Sequence, residues 1–566
     1  MVPDIIFASV TLILVMVTGF SFARARNNLM ERFVAGRQLS WLALGASMAA
    51  TSTSADTPLL IAGLVYADGL AGNWYWWAGA PGVLATLFFF ARLWRRAGVV
   101  TEVEVITLRY GQGEIARRYR MLNGLFEGLL VNGLVLASNA FAFGLILNAL
   151  LNRWQISHQP ALAGALVGLC LFLTAGYALF VGFRGLVKSD AVEFLIAVSV
   201  GTLLAVIAIR GLPHGLSDLA RQHTEHGQDS VFTLWPTRDS FAPVLMLLCS
   251  WWYNAPGKGM MVQRIAASRD EHSAILTVLT FAGLHYLVRP WAWYLIGAAG
   301  LIYLPHLAQP ETVLPAMGAR LLAPGLFGLL VAAMALSFMA SANSRLNFGA
   351  SLIVNDVALV LRPEASTKML RMVERVTIAT LCVGCLATAL LGAGPGIRGL
   401  YQFLTMMLAG TGFVAIARWY WSRTTIWSEI CSLASALIVA CMTLFWTDIA
   451  RPIDYALALG ANFVIGAVMT LVTALLGPKA DGDAVETFRR RVRPGGPGWS
   501  RSATGAISRS ALAWLLANTT LFAAMFAIAR LLAGSINQAA MLLALATISL
   551  VLLLRGIRTT RLTSAA

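Results

Sequence analysis

The stretch Gly45-Ala-Ser-Met-Ala-Ala-Thr-Ser-Thr-Ser-Ala-Asp-Thr-Pro-Leu-Leu-Ile-Ala-Gly63 combines a membrane-like composition with an unusual density of polar groups. It begins as a helix of small apolar residues and then places four consecutive hydroxyl side chains and Asp56 just before Pro58. A carboxylate beside a helix-breaking proline is tolerated in a bilayer only where the charge and the freed backbone groups face protein or water. The stretch therefore predicts a broken membrane helix that binds a ligand.

The composition places the whole chain in a membrane. Of the 566 residues, 58% are hydrophobic and only 12% are charged, which is far from a soluble globular domain. The net charge of +16 does not indicate a nucleic-acid partner, because the basic residues form short clusters between apolar segments, as topology signals do. The six cysteines all lie in apolar stretches, so we expect them to pack as small hydrophobic residues without disulfides.

The apolar segments predict an all-α integral membrane protein. With about 20 apolar residues per span, the chain has about fifteen spans, and an odd number puts the termini on opposite sides. Residues 5–22 lack the flanks of a signal peptide, so we expect a retained first span. Most of the 42 Lys and Arg residues fall on one side of this arrangement, which predicts an outside N-terminus and an inside C-terminus. We expect a multi-pass protein of the plasma membrane, which in a bacterium is the inner membrane.

A second interrupted segment lies five spans after the first. The short apolar run Phe241 to Tyr253 ends in Asn254-Ala-Pro-Gly257, and a half-helix with Gln263 and Arg264 follows. Two interrupted spans in corresponding positions indicate inverted repeats with a binding site near the bilayer midplane. An ordinary loop after the seventh span gives the same pattern, so both interpretations stay open. If the break is real, Trp251, Tyr253 and Asn254 are candidates to line or gate a cavity.

These features predict seven segments along the chain. They are an extra span with a cytoplasmic loop (1–40), a first repeat of spans two to six (41–211), an extracytoplasmic loop (212–240), a second repeat of spans seven to eleven (241–421), two further spans (422–476), a cytoplasmic basic linker (477–509) and two C-terminal spans with a tail (510–566). The linker contains Arg-Arg-Arg and Pro-Gly-Gly-Pro-Gly, so we expect it to be flexible and without a core.

Several motifs follow one another in a characteristic order from about residue 30 to residue 420. They are Gly36-Arg37-x-Leu39-Ser40-Trp41 before the Ala-Thr-x-x-x-Ala-Asp-Thr-Pro stretch, GLAGNWYWW at Gly69 to Trp77, Ala91-Arg-Leu-Trp-Arg-Arg with Thr101-Glu-Val-Glu104 and Arg109-Tyr110, Gln263-Arg264, Leu287-Val-Arg-Pro-Trp291, and the run from Phe338 to Ser351 with Val354-Asn-Asp356. In this order they resemble the sodium:solute symporter family. The resemblance implies a LeuT-like core of two inverted five-helix repeats and alternating-access transport driven by a sodium gradient.

The resemblance also implies a sodium site between the broken first core helix and the eighth core helix. Carried over residue by residue, its ligands are the carbonyls of Ala50 and Thr53 and groups of Ser337, Ala340 and Ser341. Carbonyls freed by a helix break suit a hard cation because they add no net charge. Here Ala340 replaces one of two paired hydroxyl residues, so a ligand is missing.

Arg345 is a second departure from the family, since relatives carry an uncharged polar residue there. It lies one helical turn after Ser341 on the same face. One hypothesis is that its guanidinium stands in for the cation and pairs with Asp190 or Asp56, so that transport is proton-coupled or uncoupled. The other is that Arg345 extends toward the cytoplasmic cavity and leaves sodium binding intact.

Further candidates each have a structural alternative. Asp56, with Ser52 and Thr57 beside it, is a candidate to bind a cation or a substrate amine or hydroxyl, but it could also cap the second half-helix or pair with Arg289. For Asp190 the resemblance implies a place near the sodium exit path, whereas a carboxylate in a first helical turn also suits the helix dipole.

Two further groups remain open in the same way. Asn132 is a candidate to read substrate groups, although helix–helix hydrogen bonding uses such amides as often. The aromatic run Trp74 to Trp77 is typical of an interfacial belt.

The sequence as a whole predicts a cation-coupled secondary transporter of a small organic solute, with sodium as the expected coupling ion and no organic cofactor. A membrane enzyme is disfavoured because the chain has no HExxH, nucleophile elbow or phosphate-binding glycine loop. A solute sensor on a transporter body would need a separate signalling protein. We expect a monomer whose partners are the solute, sodium or a proton, and the lipid bilayer.

Overall fold

The computed structural model describes residues 1–22, 33–156, 159–222, 230–237, 239–391, 396–446, 448–496, 499 and 504–564. Within these ranges the chain is helical, and its one backbone bridge outside helices joins Leu39 to Ser268. Parts of the predicted segments 1–40, 212–240 and 477–509 lie outside the described residues.

Most helices of the first half are apolar with a few polar positions, and the basic helix Glu114–Leu125 is an exception. The helices of this half are Val2–Ser21, Trp41–Thr51, Asp56–Asp68, Trp74–Trp77, Ala80–Ala85, Ala91–Ala97, Val105–Tyr110, Glu114–Leu125, Asn132–Arg153, Gln159–Arg210 and Leu216–Ala220. The helix Gln159–Arg210 is bent at Gly182, whose φ of 74° and ψ of 171° are not helical. This bend separates the fifth predicted span from the sixth.

The second half has the same character. Its helices are Ala242–Cys249, Met260–Ala267, Glu271–Ala282, Pro290–Tyr303, Val313–Leu321, Leu326–Leu352, Leu359–Leu361, Thr367–Leu391, Gly396–Ala409, Gly412–Tyr420, Ile426–Trp446, Pro452–Leu476, Gly482–Val492, Thr504–Leu532 and Ile536–Ser564. Four π-helical segments continue neighbouring helices, at Thr86–Phe90, Phe126–Val131, Gly283–Val288 and Ile353–Ala358.

Length and hydropathy identify the helices that could cross a membrane. Among the described residues nine helices qualify, or ten if the pair Ile397–Ala409 and Gly412–Tyr420, bent by 41°, counts as one span. Broken helices such as Trp41–Thr51 fail this criterion because each half is short. The count of fifteen spans and the orientation therefore remain predictions.

The helix Leu326–Leu352, here called the central helix, runs through the middle of the bundle. It is rich in Ala, Ser and Gly and buries nearly every side chain, as expected where small residues let helices approach closely. A Cβ at Gly349 would lie only 2.9 Å from the Gly128 carbonyl oxygen. The helix Val2–Ser21 packs on it, and its Asp4 carboxylate accepts the backbone N–H groups of Gly325 and Gly328 at 2.7 and 2.9 Å.

The first break, residues 52–55, separates Trp41–Thr51 from Asp56–Asp68, as the sequence predicts. Ser54 has a φ of +20°. Asn139 spans from this break to the central helix: its Oδ1 accepts the N–H of Ala55 at 2.6 Å, and its Nδ2 donates to the carbonyl of Phe338 at 3.3 Å. The freed backbone is thus satisfied by a side chain from another helix.

The second break, residues 250–259, separates Ala242–Cys249 from Met260–Ala267. Gly257 and Gly259 have φ values of +79° and +57°, which glycine adopts without steric cost. Thr86 donates its hydroxyl to the carbonyl of Ala255 at 2.9 Å, and the N–H of Gly259 donates to Glu102 Oε2 at 2.6 Å. The interpretation of this segment as a broken helix, rather than an ordinary loop after a span, agrees with the structure.

The expectation that residues 477–509 form a flexible linker without a core is wrong for part of that segment. Gly482–Val492 is a helix whose Phe488 and Val492 are fully buried. Phe488 packs against Trp419 at a ring distance of 5.7 Å, and the Arg109 guanidinium lies 5.5 Å from its ring. The helix forms because the two apolar residues, four apart, share a face, while the three arginines occupy the rest of the last turn.

Candidate functional site

A cavity of about 370 Å³, here called the central cavity, lies between the two breaks. It receives side chains from the first break, the second break, the helix Asn132–Arg153 and the central helix. Seven of the predicted substrate or coupling residues line it: Ser52, Asp56, Thr57, Asn132, Tyr253, Asn254 and Arg345. Its volume suits a small organic molecule.

Asp56 sits at the start of the second half-helix and is partly exposed to the central cavity. Its Oδ1 accepts the hydroxyls of Ser54 and, at 3.4 Å, Thr57. Its Oδ2 accepts the hydroxyl of Ser138 at 3.1 Å. All three hydrogen-bond donors to Asp56 are neutral hydroxyl groups. The alternative pairing with Arg289 does not occur as a salt bridge.

Asn132 makes a hydrogen bond between helices and also lies on the wall of the central cavity. Its Nδ2 donates to the carbonyl oxygen of Arg345 at 2.8 Å, which joins its helix to the central helix. Its Oδ1 is buried and has no hydrogen-bond partner among the described residues.

The guanidinium at the first break is that of Arg289, and not that of Arg345 as one of the two hypotheses proposed. The Nη1 of Arg289 donates to the Ala49 carbonyl at 3.0 Å and to the Thr53 hydroxyl at 2.6 Å, and the side chain is 1% exposed. The segment Gly283–Val288 and the adjoining helix Pro290–Tyr303 bring it there. A guanidinium therefore lies against the acceptors of this break.

The five residues carried over as sodium ligands are all buried. The Ala50 carbonyl accepts the N–H of Thr53 at 2.9 Å, and the Ser337 hydroxyl donates to the Ala333 carbonyl at 3.0 Å. The Ser341 hydroxyl is fully buried and has no partner among the described residues, which is the pattern of a group that awaits a ligand. Ala340 offers only its backbone.

The pairing of Arg345 with Asp190 or Asp56 is wrong as a salt bridge. Asp190 accepts a hydrogen bond from Ser47 and lies 3.7 Å from the Arg264 guanidinium. Arg264 also donates to Ser344 at 2.7 Å. Arg264 reaches Asp190 because its half-helix Met260–Ala267 packs beside Trp41–Thr51. This cluster does not line the central cavity.

The proposed cavity role of Trp251 also differs from the structure. Its ring stacks on Trp252 at 4.2 Å and packs against Trp514 at 5.1 Å, and it is not part of the cavity lining. The helix Thr504–Leu532 thus covers the outer face of the second break. The two neighbours Tyr253 and Asn254 turn inward instead.

One end of the central cavity is formed by Lys258 and Glu127. The Lys258 ammonium lies 4.0 Å from Glu127 Oε1 and 3.4 Å from the Thr411 hydroxyl. Lys258 and Glu127 also line a second cavity of about 50 Å³ that contains Glu102. Burial, with repulsion from Glu127, raises the pKa of the Glu102 carboxyl from 4.5 to about 7. This end holds a lysine, two carboxyl groups and little room.

Sequence reasoning missed an aromatic part of the cavity wall. Trp76, expected in an interfacial belt, is 7% exposed and lies 4.9 Å from the His285 ring and 4.7 Å from the Tyr286 ring. All three line the central cavity. The expectation of a belt is wrong for this residue because the helix that carries it turns into the bundle. The available sequence signal was the pair Gly79 and Pro81, which directly follows the aromatic run.

Known membrane transporters are similar in sequence to most of this chain. The model of the sodium:solute symporter family matches residues 32–427. A sodium/glucose cotransporter of Vibrio parahaemolyticus is 22% identical over 437 residues, which is 72% of this chain and 78% of the relative. Sodium/glucose cotransporter 4 of Danio rerio is 25% identical over 422 residues, which is 67% of this chain and 61% of that relative.

Solved structures show the same fold. A sodium-coupled sialic acid symporter in an outward-open state aligns with a TM-score of 0.67 at 16% identity, covering 85% of this chain and 99% of the other. The likeness confirms the all-α, LeuT-like fold class expected from the sequence. At 16% identity this likeness shows the fold and does not identify a ligand.

Proposed function

The chain belongs to the sodium:solute symporter family, whose members are cotransporters and not enzymes, and from this premise we propose that it is a sodium-coupled secondary transporter of a small organic solute. Sodium and a solute are the substrates of this family. We further propose that the protein lies in the plasma membrane, the inner membrane of a bacterium, with its N-terminus outside.

The proposal that sodium is the coupling ion rests on one observation, the buried hydroxyl of Ser341 on the central helix, which has no partner among the described residues. In the proposed arrangement this hydroxyl joins the carbonyls of Ala50, Thr53 and Ser337 around sodium, and Ala340 lacks the hydroxyl that would complete the set. Sodium needs several oxygens, and carbonyls of a broken helix supply them without charge. Sodium binding would hold the first break against the central helix and so favour one arrangement of the two repeats.

The central cavity, with Asp56 and the residues around it, is the proposed solute site. Rocking of one repeat against the other would open it to alternate sides. The wall formed by Lys258 and Glu127 narrows one end. The solute would pass this wall in one of the two states.

Ligand-dependent unfolding tests the proposal. Purified protein in detergent is heated with a panel of sugars, amino acids, carboxylates and vitamins, each in sodium chloride and in potassium chloride. We expect one solute class to raise the unfolding temperature more in sodium, because ligands that bind only the folded state stabilise it. Absence of any solute or sodium effect would contradict the proposal.

A pair of matched variants locates the sodium effect. Ser341→Ala removes the unpartnered hydroxyl, whereas Ser337→Ala removes a hydroxyl already bonded to Ala333 and keeps the carbonyl. We expect the sodium effect to be lost in the first variant and kept in the second. Equal behaviour of the two variants would reject Ser341 as a sodium ligand.

A second candidate, proton-coupled or uncoupled transport, is favoured by Ala340 and by the fixed guanidinium of Arg289 at the first break. A permanent positive charge there would reduce the need for a bound cation. Uptake into proteoliposomes under a pH gradient, with sodium absent on both sides, distinguishes the candidates. Full uptake in the absence of sodium would favour the second.

A further inference from the structure

The central cavity has four charged side chains on its wall, two acidic and two basic: Asp56, Glu127, Lys258 and Arg345. Arg289 lies just behind the wall, against the first break. His285 is the histidine on the described wall. The four formal charges cancel, but the four side chains differ in whether they have partners within the protein.

Three of the four wall charges have partners inside the protein. Lys258 and Glu127 lie 4.0 Å apart, and Lys258 also reaches the Thr411 hydroxyl. Both oxygens of Asp56 accept hydroxyl groups, those of Ser54 and Ser138 among them. These groups are held in place before any solute arrives.

Arg345 differs from the other three. No salt bridge or hydrogen bond joins its guanidinium to a described residue, and its Nε is buried without a partner. The side chain lines the central cavity on the side of Asn132, which holds the Arg345 carbonyl. The Nε of Arg264 is also buried without a partner, but the Arg264 guanidinium lies 3.7 Å from Asp190 and donates to Ser344.

A guanidinium withdrawn from bulk water and left without an anion is costly, and the cost falls when a planar anion binds it. The guanidinium fork matches a carboxylate with two parallel hydrogen bonds. Asp56 attracts the Arg345 guanidinium only at a distance, since no salt bridge forms between the two and its oxygens accept hydroxyl groups. A carboxylate inside the cavity would make the direct contact that Asp56 does not make.

We propose that Arg345 binds a carboxylate group of the transported solute, which makes the solute a small organic acid or amino acid. Its hydroxyl or ammonium groups would face Asp56 across the cavity. This inference rests on the proposed transport function, and it adds the chemical class of the solute. It also gives Arg345 a role other than that of a substitute cation.

Matched acid and amide pairs test the class of solute. The probes are lactate and lactamide, nicotinate and nicotinamide, proline and prolinamide, and galacturonate with galactose. Binding is measured by the concentration dependence of thermal unfolding in sodium chloride. We expect at least one acid to bind, and to bind more tightly than its neutral or amide partner.

Variants connect that preference to Arg345. Arg345→Gln should weaken binding of the acid roughly 10- to 100-fold, as expected for loss of a charge-assisted bidentate contact, and should remove the preference over the amide. Arg345→Lys should keep the preference with weaker binding, and it serves if the glutamine variant does not fold. Arg371→Gln removes an exposed arginine of similar charge and should change nothing.

Uptake into proteoliposomes under a sodium gradient distinguishes a failure of this inference from a failure of the proposed transport function. Acid binding that Arg345→Gln abolishes, with no uptake under any gradient, would support this inference and reject the transport function. Sodium-driven uptake of a neutral probe with no acid binding would support transport and overturn the inference. Acid binding unchanged in Arg345→Gln would also overturn it, and no binding and no uptake by any probe would overturn both.

Discussion

The two breaks are stabilised in different ways, although they occupy corresponding places in the two repeats. At the first break, side chains from distant helices satisfy the backbone: Arg289 donates to Ala49, and Asn139 accepts from Ala55. At the second break Thr86 and Glu102 also contact the backbone, and the chain in addition turns through positive φ values at Gly257 and Gly259.

Each break nevertheless has basic and acidic side chains nearby. Arg289 and Asp56 belong to the first, and Lys258 and Glu102 to the second. The guanidinium at the first break is fully buried, whereas the Lys258 side chain is 22% exposed. Side chains thus hold both breaks, and the second break depends in addition on two glycines in the left-handed region. Substitutions should therefore act through lost contacts at both breaks and also through backbone strain at the second.

The largest effect is expected at Asp56. Asp56→Asn removes the carboxylate charge from the central cavity while the hydroxyl neighbours can still bond to the amide. We expect binding and uptake of the solute identified by the thermal screen to fall roughly 10- to 100-fold, as for loss of a charge-assisted hydrogen bond. The measurement is initial uptake into proteoliposomes, with unfolding temperature as the control for folding. Uptake within twofold of the wild type would mean that Asp56 only caps its helix.

Arg289 tests whether side chains hold the first break together. Arg289→Met removes two hydrogen bonds from a fully buried guanidinium, and we expect the free energy of unfolding to fall by about 2 kcal/mol. Unfolding in detergent against denaturant measures this value. The matched control Arg371→Met, at an exposed position, should change it by less than about 0.5 kcal/mol. Similar values for both variants would show that the first break does not depend on this guanidinium.

We expect the stability of the folded protein to depend on pH through Glu102, which contacts the second break. Its pKa is raised from 4.5 to about 7, so the folded state keeps a proton that the unfolded state releases between these values. Stability from this group is therefore present below pH 4.5, falls as pH rises through this window, and levels off above 7. Glu102→Gln should flatten this part of the curve of unfolding temperature against pH. An unchanged curve would show that Glu102 does not titrate there.

The smallest effect is expected at Gly257. Gly257→Ala forces a left-handed residue to carry a Cβ that would lie 3.0 Å from the Thr86 methyl carbon, at a cost of about 1 kcal/mol. Gly283→Ala is the control, because φ is −63° and the added Cβ meets no atom within 4 Å. Unfolding in detergent compares the two variants. A variant of Gly257 as stable as the control would remove the distinction between the breaks.

Much of the core was predictable because polar residues in an apolar chain are a strong local signal. The breaks at Pro58 and Gly257 follow from residues adjacent in sequence, and so does the facing of Ser52, Asp56 and Thr57 toward a cavity. The loss of a hydroxyl at Ala340 is likewise read from a single position.

Pairings between helices were not predictable in this way. The partner of Asp190 is Arg264 rather than Arg345, and the guanidinium at the first break is that of Arg289. Several basic residues could reach each acid, and only the packing of the helices decides between them. Long-range contacts of this kind leave no local pattern in the sequence.

The helix Gly482–Val492 was missed for a different reason. Three consecutive arginines and a nearby glycine-rich run dominate its composition, yet Phe488 and Val492 recur at helical spacing. The two apolar positions were the available signal, and average composition concealed them.

Asn139 has a mechanical consequence for the transport cycle. Its two ends bind the first break and the central helix, so these elements cannot separate without loss of at least one of the two hydrogen bonds, a cost of about 1 kcal/mol. A motion that keeps them together meets no such cost. The amide of a single asparagine thereby favours motion of the first break together with the central helix, in the same direction as the proposed sodium site between them.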